Sequence, residues 1–454
     1  MIPLYVYIPT LASCVSTNIQ TENTVAMQSL SNRDQPTLDR FPEAEDLDSR
    51  PDIVHIRLRA GKKKHTIFDW TTGKTITVEG YAYNDMLPGP IIRIQKGNTL
   101  IVDVFNDLEE PTTIHWHGLQ VPMEMDGVSG HHTGLEPILP QTSKRYEFTV
   151  QQTGTFWYHP HYDTANQVNH GLYGAIIVED PTDPDSGGIP LIVDDWTFPY
   201  DGDGSTMEHF KESNEGIWTV NGLVYPKIEL ADSNRLRWIN ASNTGYIDLD
   251  LDNATWIAND QGILSAPQSL ESALLVPGDR IDILSNTAIA YHFPYSHLGG
   301  ERFGEKLPLA QISTTTTYNI DAWNFTEEIP SADPSHTDVF LSLQGDTHSN
   351  TWMINGEVFP MITPIEIPAY RNTIVEIRNV SPTEHPLHIH GLRFEVLSID
   401  GIAPLHKRME DTINIAPLQR IRILLYADNI GDWMTHCHIL PHGEHGMMTI
   451  LRVR

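Results

Sequence analysis

An all-β chain made of several Greek-key sandwiches is the fold class that this sequence predicts, and three observations predict it. Segments such as Thr99-Leu100-Ile101-Val102-Asp103-Val104, Arg235-Leu236-Arg237-Trp238-Ile239-Asn240 and Thr373-Ile374-Val375-Glu376-Ile377-Arg378 are β-branched, alternate in polarity and are punctuated by Gly, Pro, Asn and Asp. No long stretch carries the spacing of an amphipathic helix. The chain also repeats itself; its 454 residues suit two to four domains, and the repeats favour three. Short alternating strands of this kind close into sandwiches.

Two repeats are legible. Trp218-Thr219-Val220-Asn221-Gly222-Leu223-Val224-Tyr225-Pro226 is matched by Trp352-Met353-Ile354-Asn355-Gly356-Glu357-Val358-Phe359-Pro360, and these mark the entries of the second and third units. Each holds Asn-Gly between apolar runs, a hairpin signal. Gly154-Thr155-Phe156-Trp157-Tyr158-His159-Pro160-His161 parallels Gly431-Asp432-Trp433-Met434-Thr435-His436-Cys437-His438, with Pro160 where Cys437 stands.

The second of these segments opens the most informative stretch of the chain, which runs on through Ile439-Leu440-Pro441-His442-Gly443-Glu444-His445-Gly446-Met447. On a strand, Cys437 points to one face while His436 and His438 point to the other. A thiolate, two imidazoles and a weak axial thioether form the ligand group of blue-copper sites, and Cys437, His442 and Met447 supply all but one histidine. The histidines on the opposite face call for a second metal centre. His115-Trp116-His117-Gly118 and His159-Pro160-His161 each place two imidazoles on one strand face, roughly 6 to 7 Å apart. In His385-Pro386-Leu387-His388-Ile389-His390, His388 and His390 share a face and His385 takes the other, so His385 can complete the blue site. One His-x-His pair is ordinary polar alternation. Four clusters in this order are not.

With these motifs the chain resembles a three-domain multicopper oxidase, the group that includes laccases, bilirubin oxidases and bacterial copper-efflux oxidases. The patterns His-x-His-Gly, His-x-His, His-x-x-His-x-His and His-Cys-His-x-x-x-His-x-x-x-x-Met occur in family order, and the resemblance covers roughly residues 51–454. It implies three cupredoxin domains, near 51–182, 183–330 and 331–454, with the polynuclear cluster between the first and third and a middle domain without ligands that serves as spacer and substrate-side wall. It also implies four copper ions. The type 1 copper takes His385, Cys437 and His442 with Met447 axial, and the type 2 copper takes His115 and His388. One type 3 copper takes His117, His159 and His438; the other takes His161, His390 and His436.

The same resemblance implies a reaction: a small reducing substrate or metal ion gives single electrons to the type 1 copper through His442, expected to be its most accessible ligand edge. The electrons pass through the Cys437 backbone to His436 and His438, and O2 is reduced to water. Asp126, in Met125-Asp126-Gly127, stands at the family position of an acid lining the cluster's solvent channel, and as a local feature it is also a turn Asp before Gly. Several bacterial members carry a glutamate directly after the histidine equivalent to His442. Here Gly443 stands there and Glu444 follows, to serve either the proton route or the loop turn.

Of the two cysteines, Cys437 is taken by the metal, so no intrachain disulfide forms. Cys14 ends Leu11-Ala12-Ser13-Cys14 after the apolar residues 2–11, which reads as a lipoprotein processing box and thus a lipid anchor, although no Lys or Arg precedes it and Pro3 and Pro9 interrupt the run. A plain or truncated export signal and an uninformative terminus are the alternatives. Residues 15–50 are polar and read as a flexible tether. The expectation is an exported protein, periplasmic or on the outer surface. No other segment is long and apolar enough to span a membrane.

A formal charge of -30 excludes nucleic-acid partners, and it marks a solvated acidic surface or one that attracts cations. The substrate is where the sequence falls silent. The twelve methionines are scattered, without the methionine-rich insert of a specialised cuprous oxidase. His131 and His132, with Glu410 and Asp411, are candidates for metal binding near an entrance or plain loop residues. A nitrite reductase would leave the eight cluster histidines superfluous, and a non-enzymatic copper store or tolerance protein would not wire Cys437 between two strand histidines.

Overall fold

The computed structural model describes residues 35–38, 42–69, 74–130, 132–183, 187–196, 217–230, 233–285, 289–293, 295–296, 301–302, 306–314, 320, 323, 325, 328 and 330–454. Alternation becomes burial. In the Thr99–Asn106 strand, Leu100, Val102 and Val104 are fully buried while Asp103 and Phe105 are partly exposed. Among the described residues the helices are short: the α-helices Thr164–Asn169 and Leu440–Glu444 and the 3-10 turn Met123–Met125, with Ile320 also in 3-10 conformation.

The first sandwich pairs two four-stranded sheets. One runs Lys74–Tyr83, Ile53–Asp69, Thr99–Asn106, Ser143–Thr149 in space, and the other Gly89–Gln95, Gly174–Glu179, Gly154–His159, His115–His117. Leu58, Val102 and Tyr146 from one sheet meet Ile94, Trp116 and Phe156 from the other in one core. The third sandwich has a six-stranded and a five-stranded sheet, the latter in the order Ile365–Ile367, Met448–Val453, Gly431–Cys437, His385–Ile389, Thr412–Ile415. Both motif-bearing segments of the C-terminal half are therefore neighbouring strands, in register with Leu387 opposite Cys437 and His388 opposite His436.

Between them the chain forms one hydrogen-bonded sheet of ten strands. The 13-residue strand Ile247–Asn259 pairs with Gly262–Leu275, Arg280–Leu284 and Ile289–Phe293 along its length, so the sheet wraps a single core containing Leu191, Trp238, Leu249 and Ile283. This unit is seated on the first sandwich by buried charge: Asp282 accepts from Thr155 Oγ1 at 2.7 Å, and Arg237 Nη1 donates to both Thr155 Oγ1 and Asp282. Buried ions persist where they are paired. Thr155 lies on the strand that ends at His159, so the seat bears directly on a motif strand.

The tether expected over residues 15–50 is corrected where it is described. Thr37–Leu38 is a parallel strand beside Lys227 and Ile228, Leu38 is buried in the middle core, and the Ala44 N–H donates to Ile91 O at 2.8 Å. Main-chain groups make these bonds, so a polar composition does not prevent the segment from covering a sheet edge. Cys14 and the rest of residues 1–34 lie outside the described residues.

Candidate metal centre

Every residue of Gly431–Cys437 is buried, and the strand divides its side chains between two centres. On one face Cys437 Sγ lies 3.5 Å from His385 Nδ1 and 3.8 Å from His442 Nδ1, and the two nitrogens are 3.3 Å apart. Metal–nitrogen bonds of about 2.0 Å and metal–sulfur bonds of about 2.3 Å, at tetrahedral to trigonal angles, would separate ligand atoms by roughly these amounts. Burial pushes the Cys437 thiol up, so a cation is needed to make the thiolate available. His385 is oriented from behind by Ser381 Oγ, 2.6 Å from Nε2. Met447 is fully buried, with its carbonyl accepting from the Cys437 N–H and its N–H donating to His442 O.

The other face joins eight histidines. Register places His115 opposite His159, and the ligand nitrogens gather as His117, His159, His438 and as His161, His390, His436, with His115 and His388 beside His117. Within each group the atoms lie within 4.8 Å of one another. Tautomers follow from the partners. His115, His159 and His436 each turn Nδ1 to a backbone carbonyl (Asp126, Pro160 and Cys437) at 2.8 to 2.9 Å, so Nδ1 carries the proton and Nε2 presents a lone pair. Nε2 of His115, His159, His388 and His438 and Nδ1 of His117 are buried without a hydrogen-bond partner. Such orphaned acceptors are costly in a packed interior unless they bind something, and five aimed into one space fit metal ions. Burial, reinforced by the neighbouring imidazoles, pushes His159 and His438 well below the usual imidazole range and lowers His436 to about 3.

Asp126 is placed at the join between these groups. Its Oδ2 accepts from His390 Nδ1 at 2.9 Å, its Oδ1 is 3.2 Å from His115 Nδ1, and it is 3% exposed. Gly127, at φ +83°, makes this possible, because a Cβ there would collide with Ile114 O.

Family models described as multicopper oxidase match residues 66–183 and 331–454. The multicopper oxidase mco of Staphylococcus haemolyticus is 31% identical over 435 residues, covering 91% of this chain and 92% of that protein.

The chain belongs to the multicopper oxidase family.

The laccase of Bacillus subtilis is 27% identical, with 81% of this chain and 89% of that protein covered. Among solved structures, a multicopper oxidase from Campylobacter jejuni described as a metallo-oxidase superposes with a TM-score of 0.78 at 26% identity, covering 93% of this chain and 96% of that one. This multicopper oxidase is thus a copper-binding oxidoreductase that uses O2 and a reducing substrate.

Several placements depart from the sequence reading of this oxidase. Glu410 borders a cavity of about 290 Å³ together with Arg408 and Asp279, whereas Asp411 does not line it. Glu410 and Asp411 are buried, Glu410 paired with Arg408 at 2.7 Å, and Asp411 Oδ1 lies 3.3 Å from both His117 Nε2 and His388 Nδ1. Burial pushes Asp411 up, but the Arg280 guanidinium and the two imidazoles outweigh it and hold the carboxyl well below the usual range. The middle unit is more than a spacer. Besides Arg280 it supplies Gly278, at φ +93°, where a Cβ would lie 3.0 Å from the His438 ring and 3.3 Å from His117.

His442 is not an accessible edge: it is 1% exposed, and Trp352, itself fully buried, stacks on it with ring centroids 3.7 Å apart. Glu444 is engaged by the Thr164–Asn169 helix, its Oε1 accepting from the Ala165 N–H at 2.8 Å, while a Cβ at Gly443 would lie 3.9 Å from His436 Nδ1. Successive residues of a helical turn point about 100° apart, so the acid one position later faces elsewhere. His132 Nε2 donates to Pro360 O at 2.9 Å, and its ring centroid sits 5.5 Å from that of Phe359; His131 lies outside the described residues.

Proposed function

We propose that His385, Cys437 and His442, with Met447 as a weak axial ligand, hold one type 1 copper, that His115 and His388 hold the type 2 copper, and that His117, His159, His438 and His161, His390, His436 hold the type 3 pair. The electron donor is a phenol or aromatic amine, or a low-valent metal ion. The observation that carries this reading is that three successive residues, His436 and Cys437 at the end of the strand Gly431–Cys437 and His438 just past it, belong to three different ligand groups. Bound copper would supply one-electron acceptance at the first site and reduction of O2 to water at the cluster. The chain's own part is to join the sites and hold them. Cys437 and its neighbours provide a covalent path of a few bonds, Ser381 fixes the His385 ring, and Asp126 holds the proton on His390 Nδ1 so that Nε2 faces inward.

Support for a phenol donor comes from the relative named a laccase, and support for a metal ion from the neighbour described as a metallo-oxidase. Export, with a lipid on Cys14, is also proposed, on the Leu11-Ala12-Ser13-Cys14 sequence. The test is oxygen consumption by the copper-loaded protein offered a phenol, Cu(I), Fe(II) and Mn(II) in turn. Uptake with at least one donor, from a blue protein, is the expected result. Copper bound with no uptake from any of the four would leave a copper store or an electron carrier.

A further inference from the structure

A residue that is not among the ligand groups packs directly on the mononuclear site. Trp352 lies over His442 with an interplanar angle of 24° and meets His385 edge-on at 5.3 Å between centroids, so one indole touches both imidazoles of the group. Both His442 and Trp352 are buried. The indole Nε1–H donates to Asn350 Oδ1 at 2.8 Å, and residues 347–350 form an exposed turn. The turn joins the strands Val339–Asp346 and Thr351–Ile354, in which Gly345 stands opposite Trp352. A Cβ at Gly345 would collide with the six-membered ring of the indole. The hairpin is therefore built to let the indole lie flat across it and reach His442.

We infer that Trp352 is the electron-entry residue, through which donors oxidised at the exposed turn 347–350 reduce the mononuclear site. This rests on the copper assignment proposed above and adds the point of entry. In each transfer the donor would lose one electron, passed through Trp352 and His442 to copper held at the site. The charge balances by loss of a phenolic proton or by the raised charge of a metal-ion donor, and the indole is left unchanged. Stacked rings in contact couple electronically, whereas a donor kept off the His442 edge has no ligand to touch. Donors that react across a surface turn, such as small complex ions, are then served as well as phenols, and a donor that must hydrogen-bond a ligand imidazole is excluded.

The experiment uses the copper-loaded full chain and ferrocyanide, mixed anaerobically, with the loss of blue absorption followed in time. The blue spectrum and the reduction potential of the site are recorded for each sample, because a merely structural role would move those and not the rate alone. Trp352→Leu is expected to keep the spectrum and to be reduced about tenfold more slowly, with Trp352→Phe intermediate. If Trp352 is only a cover, Trp352→Leu uncovers His442 and reduction is as fast as in the wild type or faster, which overturns the inference. Should Trp352→Leu not load copper, Trp352→Phe decides: a rate at or above that of the wild type overturns it equally. A wild-type protein that never turns blue would instead remove the copper assignment itself, so the two failures are distinguishable.

Discussion

Arg280 donates through both terminal nitrogens to the carboxylate of Asp411, at 2.8 and 2.6 Å, and that carboxylate touches His117 and His388. Arg280 Nε also reaches Thr155 O, and its terminal nitrogens reach Gly278 O and Asp260 O. One guanidinium thereby ties all three units together behind the cluster. Arg280→Met should leave the buried Asp411 carboxylate without its counter-ion, a loss of about 3–5 kcal/mol in stability. Arg280→Lys keeps the charge but not the fork geometry. It should keep the blue absorption while the type 2 copper loosens, read as a weakened type 2 signal in electron paramagnetic resonance and a lower copper content. A full type 2 signal in Arg280→Lys would show that Asp411 holds its place without the paired donors.

Asp126→Asn keeps size and most hydrogen bonding but replaces an acceptor of the His390 Nδ1 proton by an amide. Reduction of the blue site should stay fast while reoxidation by O2 slows, by about tenfold or more. Stopped-flow reoxidation at the wild-type rate would show that the carboxylate is not required.

Met447→Leu removes a thioether from a site whose axial bond is weak. The variant should remain blue and its reduction potential should rise. A colourless variant would make Met447 a strong ligand.

Cys14→Ser tests location. Expressed from the first residue in a Gram-negative host, the wild type should fractionate with membranes and the variant should not, since stable attachment takes more than one acyl chain and the processed cysteine of a lipoprotein carries several. Both forms in the soluble periplasmic fraction would leave a simple exported enzyme.

The parts of this site that were legible in the sequence are those that depend on local alternation. His388 and His390 against His385, and His436 and His438 against Cys437, divide between faces by the period of a strand, and that period survives any tertiary arrangement. What pairing and packing decide was not legible. Asp411 reaches His388 because the next residue, Thr412, is registered opposite His388, and it meets an arginine 131 positions away. Trp352 covers His442 because Gly345, on the neighbouring strand, leaves room for it, a relation between strands that no local pattern reports. Thr37–Leu38 is two residues long, too short for alternation to show.

In the proposed arrangement Cys437 wires a single-electron site to a cluster that carries O2 through to water. Counting the one-electron donor molecules oxidised for each O2 consumed, with catalase added in a parallel sample, tests it most directly. Four per O2, unaffected by catalase and abolished in Cys437→Ser together with the blue absorption, is the predicted result. Two per O2 with catalase returning oxygen, or uptake that persists in Cys437→Ser, would contradict it.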